Sequence, residues 1–458
     1  MAKKKQIELT IEEKLQNALV PKEEQPYKIP NNWCWVRLGN ITQIKGGKRI
    51  PKGTSLLKEN TGYKYIRVTD MKNGTVLNDD IHYISKDIYN KISNYTISKN
   101  DIYITCAGTI GRVGIIPVEF DGANLTENAD KIIIKHINKN LLVKVLSSYI
   151  VQKQIQEVIT TGCQPKLAIK KIEQLKIPLP PINEQQRIVE RIESLFVKLD
   201  RAKELIENTL AQFEQNKMAI LHKAFIGELT AKWRKENNID LSSWQEKTID
   251  ELCTSLKYGT SKKSKPEGSV VVLRMGNLQN GEIDWSNLMY TDDKDDIEKY
   301  LLKKGDVLFN RTNSPELVGK TSIYRGEYPA IYAGYLIKLD YGKDIIGEYL
   351  NYMMNSTKAK HYCYTVKTDG VSQSNINAKK IGAFEIPVPT IEEQQEIVNI
   401  LDKLLAKYNK IKNLEQQLEK IELLKKAILA KAFRGELGTN NPDEESAENL
   451  LKEILAEK

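Results

Sequence analysis

The chain is short of the residues that do chemistry unaided. Its 458 residues include four histidines and five cysteines. The cysteines (Cys34, Cys106, Cys163, Cys253 and Cys363) are scattered, and no two stand at Cys-x-x-Cys spacing. That excludes the common zinc and dithiol signatures, so no metal is expected, and it suits a reducing cytoplasm. No stretch approaches the roughly 18 apolar residues of a membrane span; the longest runs are of the size of Val270-Val271-Val272-Leu273. Lys3, Lys4 and Lys5 could open a signal peptide, but polar residues from Gln6 to Lys14 occupy the place of its apolar core. With 26 glycines and 15 prolines the chain is far from collagen or linker composition, and 40% hydrophobic residues are enough to build real cores.

Catalytic signatures are equally scarce. There is no Gly-x-Gly-x-x-Gly after a strand, no Gly-x-Ser-x-Gly elbow, no His-Glu-x-x-His and no Asn-Pro-Pro-Tyr element. The string 314–321 ends in Gly319-Lys320-Thr321 like a phosphate-binding loop. It begins with Ser instead of Gly, however, and runs on as Ser322-Ile323-Tyr324-Arg325, which reads as a strand where that motif must open a helix. Acidic pairs such as Asp79-Asp80 and Asp295-Asp296 read as solvated turns. The chain is therefore expected to bind rather than catalyse, with no cofactor of its own.

What is present is charge and repetition. The formal net charge is +9, and the tail 441–458 holds six acids against two lysines, so the body carries +13. A basic body points to a polyanionic partner. The chain also contains itself twice. Ile177-Pro178-Leu179-Pro180 matches Ile386-Pro387-Val388-Pro389, and Glu184-Gln185-Gln186 matches Glu393-Gln394-Gln395. Ala224-Phe225-x-Gly227-Glu228-Leu229 matches Ala432-Phe433-x-Gly435-Glu436-Leu437. Looser pairs are Trp33 with Trp244, Arg67 with Arg274, Asn73-Gly74 with Asn280-Gly281, and Gly111-Arg112 with Gly319-Lys320. A period of about 209 residues is a domain duplication, too long for a solenoid repeat.

Each copy has two parts. The first, about 150 residues, carries short β-branched and aromatic runs with Asn-Gly turns suited to hairpins. Helical stretches such as 141–160 and 346–360 interrupt them. The second part is a heptad helix, with seam residues Ile188, Ile192, Leu195, Leu199, Ala202, Ile206, Thr209, Phe213, Asn216 and Ile220. Its copy runs Ile397, Leu401, Leu404, Tyr408, Ile411, Leu414, Leu418, Ile421, Leu424 and Ile428, with gaps of three that would overwind a supercoil locally. Asn183 with Gln186, and Thr390 with Glu393, are placed to cap the two helices. The expected fold class is mixed α/β, with two pseudo-symmetric α/β domains separated by two long antiparallel coiled-coil helices.

The candidate contacts to a polyanion lie in matching loops. Lys45, Lys48, Arg49 and Lys52 surround Gly46-Gly47, and Lys257, Lys262, Lys263 and Lys265 surround Gly259. Lysine and arginine neutralise phosphate, and glycine permits close backbone approach. An ordinary solvated loop is the plain alternative for either, and recurrence in both copies favours nucleic acid. Candidate base readers are Arg67, Arg112, Gln164, Arg274, Arg311, Asn313, Lys320 and Gln373, since Arg suits guanine while Asn and Gln suit adenine. Taken singly, each is expected to contact phosphate or to serve the fold more often than to read a base.

Together these motifs resemble the specificity subunit of type I restriction-modification systems. The carriers are the duplicated lead-ins at 178–189 and 387–398, the helices ending in Ala-Phe-x-Gly-Glu-Leu, and the leader Ala18-Leu19-Val20-Pro21 followed by Pro30-Asn31-Asn32-Trp33-x-Trp35-Val36-Arg37-Leu38-Gly39. The resemblance implies a leader helix segment (1–30), a target recognition domain (31–181), a helical spacer (182–238), a second recognition domain (239–389), a second spacer (390–437) and an acidic helix closing the ring (438–458). It implies double-stranded DNA as ligand, two methyltransferase subunits and motor-nuclease restriction subunits as partners. S-adenosylmethionine, ATP and Mg would belong to those partners. Since Gly108-Thr109-Ile110 and Ser314-Pro315-Glu316 differ, an asymmetric split target is expected. Two other classes fit the residues less closely. A stand-alone DNA-binding adaptor would form no complex with a methyltransferase, and a coiled-coil scaffold for protein or sugar would bind without steep salt dependence.

Overall fold

A computed structural model describes residues 10–159, 165–406 and 412–458. Gln164, Tyr408 and Ile411 lie outside the described residues, as does Cys163. The chain divides into two compact units, Met1–Glu204 with Gln417–Lys458, and Leu205–Gln416.

The first unit is built on a four-stranded antiparallel sheet in the order Thr42–Gly46, Ala129–Ile134, Ile102–Thr105, Val113–Ile115. Thr42 and Ile44 point inward while Gln43 and Lys45 face solvent, the two-residue period of a half-buried strand. Ile102–Thr105, covered on both faces, is buried throughout. A second sheet has four short strands, with Lys64–Ile66 and Ala123–Leu125 parallel at its centre. Cys34–Arg37 pairs with Lys176–Leu179 at the helix lead-in. The second unit repeats the plan with Cys253–Tyr258, Leu336–Tyr341, Val307–Asn310 and Thr321–Ile323. Its lead-in pair is Gln245–Thr248 with Glu385–Val388. It also has a three-stranded sheet of Thr312–Asn313, Ser374–Asn375 and Thr368–Asp369.

Both Asn-Gly turns close two-residue hairpins. Asn73 and Gly74 have φ of 53° and 73°, and Asn280 and Gly281 have 56° and 88°, the left-handed pair that such a turn demands. The two helical stretches are each broken in two. Lys139–Leu146 ends before Ser147-Ser148 and Tyr149–Val158 restarts; Gly347–Met354 ends before Asn355-Ser356 and Thr357–Val366 restarts. Serine hydroxyls bonding to nearby backbone compete with helix continuation. Ser148 Oγ donates to the Val145 carbonyl at 2.6 Å, and Ser356 Oγ accepts from Ala359 N at 3.3 Å.

The first long helix runs unbroken from Ile182 to Phe225, 44 residues, and contributes to both units. It starts ahead of Asn183, so the expected cap there is not made. Thr390 Oγ1 does accept from Glu393 N at 3.4 Å, but the Glu393 carboxylate does not turn back to complete a capping box. It is drawn into the buried cluster described below. In the first unit Lys203 pairs with Glu422 at 3.3 Å and Asp200 with Lys425 at 2.5 Å, so the two helices run antiparallel there. Ile188, Val189 and Ile192 share a core with Ala432 and Phe433. In the second unit Leu221, Ala224 and Phe225 share one with Ile397, Val398 and Leu401. The C-terminal helix Ala447–Ala456 packs on the leader helix Ile11–Ala18, with Lys452 on Glu12 at 2.8 Å.

Candidate nucleic-acid interface

Each unit is fastened to its helices around one fully buried carboxylate. In the first, Trp33 Nε1 donates to Glu184 at 2.6 Å, Asn440 Nδ2 at 2.9 Å and Thr439 Oγ1 at 3.1 Å. In the second, Trp244 Nε1 donates to Glu393 at 2.9 Å, Thr230 Oγ1 at 2.6 Å and Arg234 Nη1 at 2.6 Å. The next residue repeats the device. Gln185 accepts from Asn138 N and donates to the Pro180 carbonyl, while Gln394 accepts from Ile346 N and donates to the Pro389 carbonyl. A buried carboxylate gripped by three donors from separate parts of the chain holds its surroundings in one arrangement. These clamps fix where the loops of each unit stand.

The glycines of the basic loops serve the fold. A Cβ on Gly47 would overlap the Thr126 carbonyl oxygen, and one on Gly259 would overlap that of Tyr332. Gly47 N donates to Ala129 O at 3.0 Å, and Gly259 N to Leu336 O at 3.3 Å. This corrects the expectation that they exist to admit a phosphate: it is the protein's own backbone that approaches them. The cations differ between units. Lys45, Lys48 and Lys52 are exposed, and among the described residues no carboxylate lies within ion-pairing distance of them; only Arg49 is paired, to Glu127 at 2.5 Å. Lys257 is paired to Asp340 at 2.8 Å and Lys262 to Asp293 at 2.7 Å, leaving Lys263 and Lys265 exposed.

Of the candidate base readers, Arg67 and Arg274 occupy the same structural position. Each precedes a short 3-10 turn whose last side chain, Asp70 or Asn277, accepts the arginine's own backbone N–H at 2.8 or 2.9 Å. The Arg67 guanidinium is further held by Asp70 at 2.7 Å and Asp80 at 3.1 Å, which raises its pKa. That of Arg274 donates to the Asn287 carbonyl and keeps a buried Nε–H without partner. Arg112 is exposed on a groove of about 550 Å³, lined also by Lys72, Asn73, Ser147 and Gln152. Lys320, its counterpart, donates to Gln279 at 2.9 Å, and burial lowers its pKa. Arg311 lies over the Tyr258 ring at 4.9 Å and donates to Asn375 at 3.2 Å. Asn313 is half-buried on the three-stranded sheet, where it faces Ser374 in register, and Gln373 is exposed in the turn just before that strand. Thus Arg311 stands over Tyr258 and Asn313 lies at the strand that follows Gln373, whereas Arg67 and Arg274 are engaged by the fold.

Lys72 and Tyr258 were not singled out from the sequence. Lys72 borders the Asn73-Gly74 turn, and Tyr258 directly precedes Gly259, so position beside a repeated turn residue was the available signal. Among the described residues no group of His, Cys, Asp and Glu could hold a metal, and no helix is long and apolar enough to cross a membrane.

The two units repeat one mixed α/β plan, and each carries a lysine-bearing loop beside a conformationally required glycine, so the chain is a duplicated two-domain protein. Residues 30–214 and 242–423 each match the family model described as type I restriction modification DNA specificity domain, and the chain belongs to that family. It is 27% identical over 459 residues to the type I restriction enzyme EcoKI specificity subunit of Escherichia coli K12, covering 94% of this chain and 96% of that protein. It is 26% identical, with the same coverage, to the StySPI specificity subunit of Salmonella potsdam. Among solved structures, a chain from a study of complex assembly and conformational transition of the type I R-M system matches with TM-score 0.66. Its identity is 18%, and the match covers 90% of this chain and 100% of that one. The HsdS subunit of Thermoanaerobacter tengcongensis matches with TM-score 0.51 and 20% identity, over 90% and 99%.

Proposed function

We propose that this chain reads a split duplex target for a type I restriction-modification complex, one half-site per unit. The observation that carries the reading is a scaffold used twice with the same clamp, the same hairpin turn and the same anchored glycine, but with different side chains at the tip. Two readers of different chemistry on one chain suit a target whose halves differ. The Ile182–Phe225 helix cannot change length, which suits a fixed gap of unread bases, with half-sites about one helical turn apart.

Two methyltransferase subunits would dock on this chain, and motor-nuclease subunits would complete the complex. S-adenosylmethionine, ATP and Mg belong to those partners, and this chain carries no catalytic step. Adenine methylation needs the base turned out of the stack into the partner's pocket, so the units grip and position the duplex. The complex would act in the cytoplasm, where the DNA is. Genomic methylation sequencing with and without this gene tests the reading. A two-part, asymmetric motif of fixed gap should vanish on deletion; a palindromic or continuous motif overturns it.

A further inference from the structure

The second unit holds one side chain that the fold does not use. Val371, at the tip of the hairpin 368–375, is fully exposed at 109% of its reference area, the most exposed of the large apolar residues described. A valine in a mobile loop would mean little, but this hairpin is braced from all sides. Lys367 Nζ, itself buried, pairs with Asp369 at 2.5 and 2.7 Å, and Ser374 Oγ donates to the same carboxylate. Lys380 Nζ donates to the Val366 carbonyl at 2.5 Å and to Thr368 Oγ1 at 2.7 Å. Gly370 N closes the tip on the Gln373 carbonyl at 2.8 Å. On the other edge, Asn375 Nδ2 donates to Thr312 Oγ1 at 2.7 Å. Beside this sheet the fully buried Asn310 keeps its amide nitrogen, and Arg311 its Nε–H, without acceptors.

We infer that the hairpin 368–375 enters the major groove of the half-site read by the second unit, with Val371 contacting the C5-methyl of a thymine. The inference rests on the DNA-reading role proposed above and names a specificity residue for it. The major groove admits a β-ribbon, here the end of the hairpin beyond its pairing with Thr312–Asn313, and thymine's methyl is the one apolar group displayed there. Aliphatic wedges that unstack bases are mostly longer or stiffer side chains, Leu, Ile, Phe, Met or Pro. A short branched valine flanked by Gly370 and Ser372 suits contact with a methyl group instead. Gln373, two positions on, carries the amide that suits adenine, and Arg311 over Tyr258 supplies a cation beside it. The bracing makes the contact specific, since the tip does not have to be ordered on binding.

The test uses the chain assembled with its methyltransferase and duplexes carrying the motif read by methylation sequencing. Each thymine is replaced in turn by uracil, which removes only the methyl. One such replacement should weaken the wild-type complex about fourfold, the value of one buried methyl group. Val371→Ser should weaken the thymine duplex by about the same factor and be indifferent to that uracil. Because Val371 packs on nothing, the variant keeps its fold. Equal losses by Val371→Ser on thymine and uracil duplexes overturn the inference in favour of a wedge or backbone contact. So does an unchanged affinity, or a motif in which no uracil replacement matters. A wild-type complex that methylates no fixed motif overturns the underlying DNA-reading role, and shows this before any variant is made.

Discussion

In the first unit the buried Glu184 meets three neutral donors, whereas in the second its counterpart Glu393 meets two neutral donors and the guanidinium of Arg234. At the tips the contrast runs the same way. The lysines of the first basic loop face no carboxylate among the described residues, while Lys257 and Lys262 of the second are paired with aspartates. Even one strand interior differs: Asp130 is buried opposite Ile104, where the second unit sets Ile337 opposite Phe309. The scaffold tolerates none of this variation at Trp33 and Trp244, Glu184 and Glu393, or Gly47 and Gly259. Residues that place the tip are therefore shared between copies, and residues that set its charge are not.

The clamps are where this contrast is broken most severely. Arg234→Met leaves the fully buried Glu393 without its cation, which should cost the second unit about 3–5 kcal/mol. Asn440→Ala removes one neutral donor from Glu184 and should cost the first unit about 1.5–3 kcal/mol. Hydrogen exchange on the two variants, read separately for each unit, distinguishes the effects. Equal losses would mean that the guanidinium adds nothing beyond a hydrogen bond.

Asp130 offers a smaller and pH-dependent break. Burial pushes its carboxyl up to about 6, although the Cys106 thiol and the charge of Lys166 favour the ionised form. The folded unit thus binds the proton more tightly than the unfolded chain does. Stability contributed by this group falls as pH rises from about 4 to about 6, and above that the full penalty is present. Asp130→Asn should then stabilise the first unit at pH 7 by up to about 3 kcal/mol, from 1.36 kcal/mol per pH unit, and flatten its stability between pH 4 and 6. Asp340 in the second unit behaves oppositely. Burial pushes it up, but hydrogen bonds from Lys257, Lys338 and Ser255 outweigh this and hold it at about 2. Its contribution is present at neutral pH and is lost as the pH falls from about 4 to about 2. Thermal unfolding of Asp130→Asn at pH 5 and pH 7 checks the sign.

Much of the scaffold could be read from repetition. Trp33 matches Trp244 and Glu184 matches Glu393 in the repeat, and in each copy the tryptophan and the glutamate meet in one clamp, Trp33 with Glu184 and Trp244 with Glu393. The Asn-Gly turns and the buried ends of the heptad seam, such as Ile188, Ile192, Ile397 and Leu401, follow from short-range pattern, whereas Asn216 and Leu424 of the expected seam are exposed. The tip was legible only as a list of cations. Arg49 with Glu127 and Lys257 with Asp340 are 78 and 83 residues apart, a pairing that local pattern does not encode. The engagement of Arg67 and Arg274 was in principle readable, because Asp70 and Asn277 stand three residues on in both copies. The glycines misled for a physical reason: the close approach that they permit is to another strand, and sequence does not say whose backbone arrives.

The smallest expected effect bears on the tip charges. A lysine that reaches a phosphate with no internal partner releases a counterion on binding, so losing it should lower the slope of log Kd against log salt by about 0.9. Lys48→Gln tests this in the first unit, where the ammonium lies over the Tyr95 ring at 5.5 Å but has no carboxylate to neutralise it among the described residues. Lys262→Gln should change the slope by clearly less, because its ammonium is already neutralised by Asp293 and, at 3.4 Å, by Asp296. The sharper experiment is to release it. Asp293→Asn keeps the cap on the Lys294–Tyr300 helix, since an amide oxygen can still accept the Asp296 N–H, now at 3.0 Å. It removes the nearer carboxylate from Lys262, so the slope should steepen towards what one unpaired lysine contributes. A slope unchanged by Asp293→Asn and by Lys262→Gln would place the second loop off the DNA, and the two units would then grip the duplex through different parts of the same scaffold.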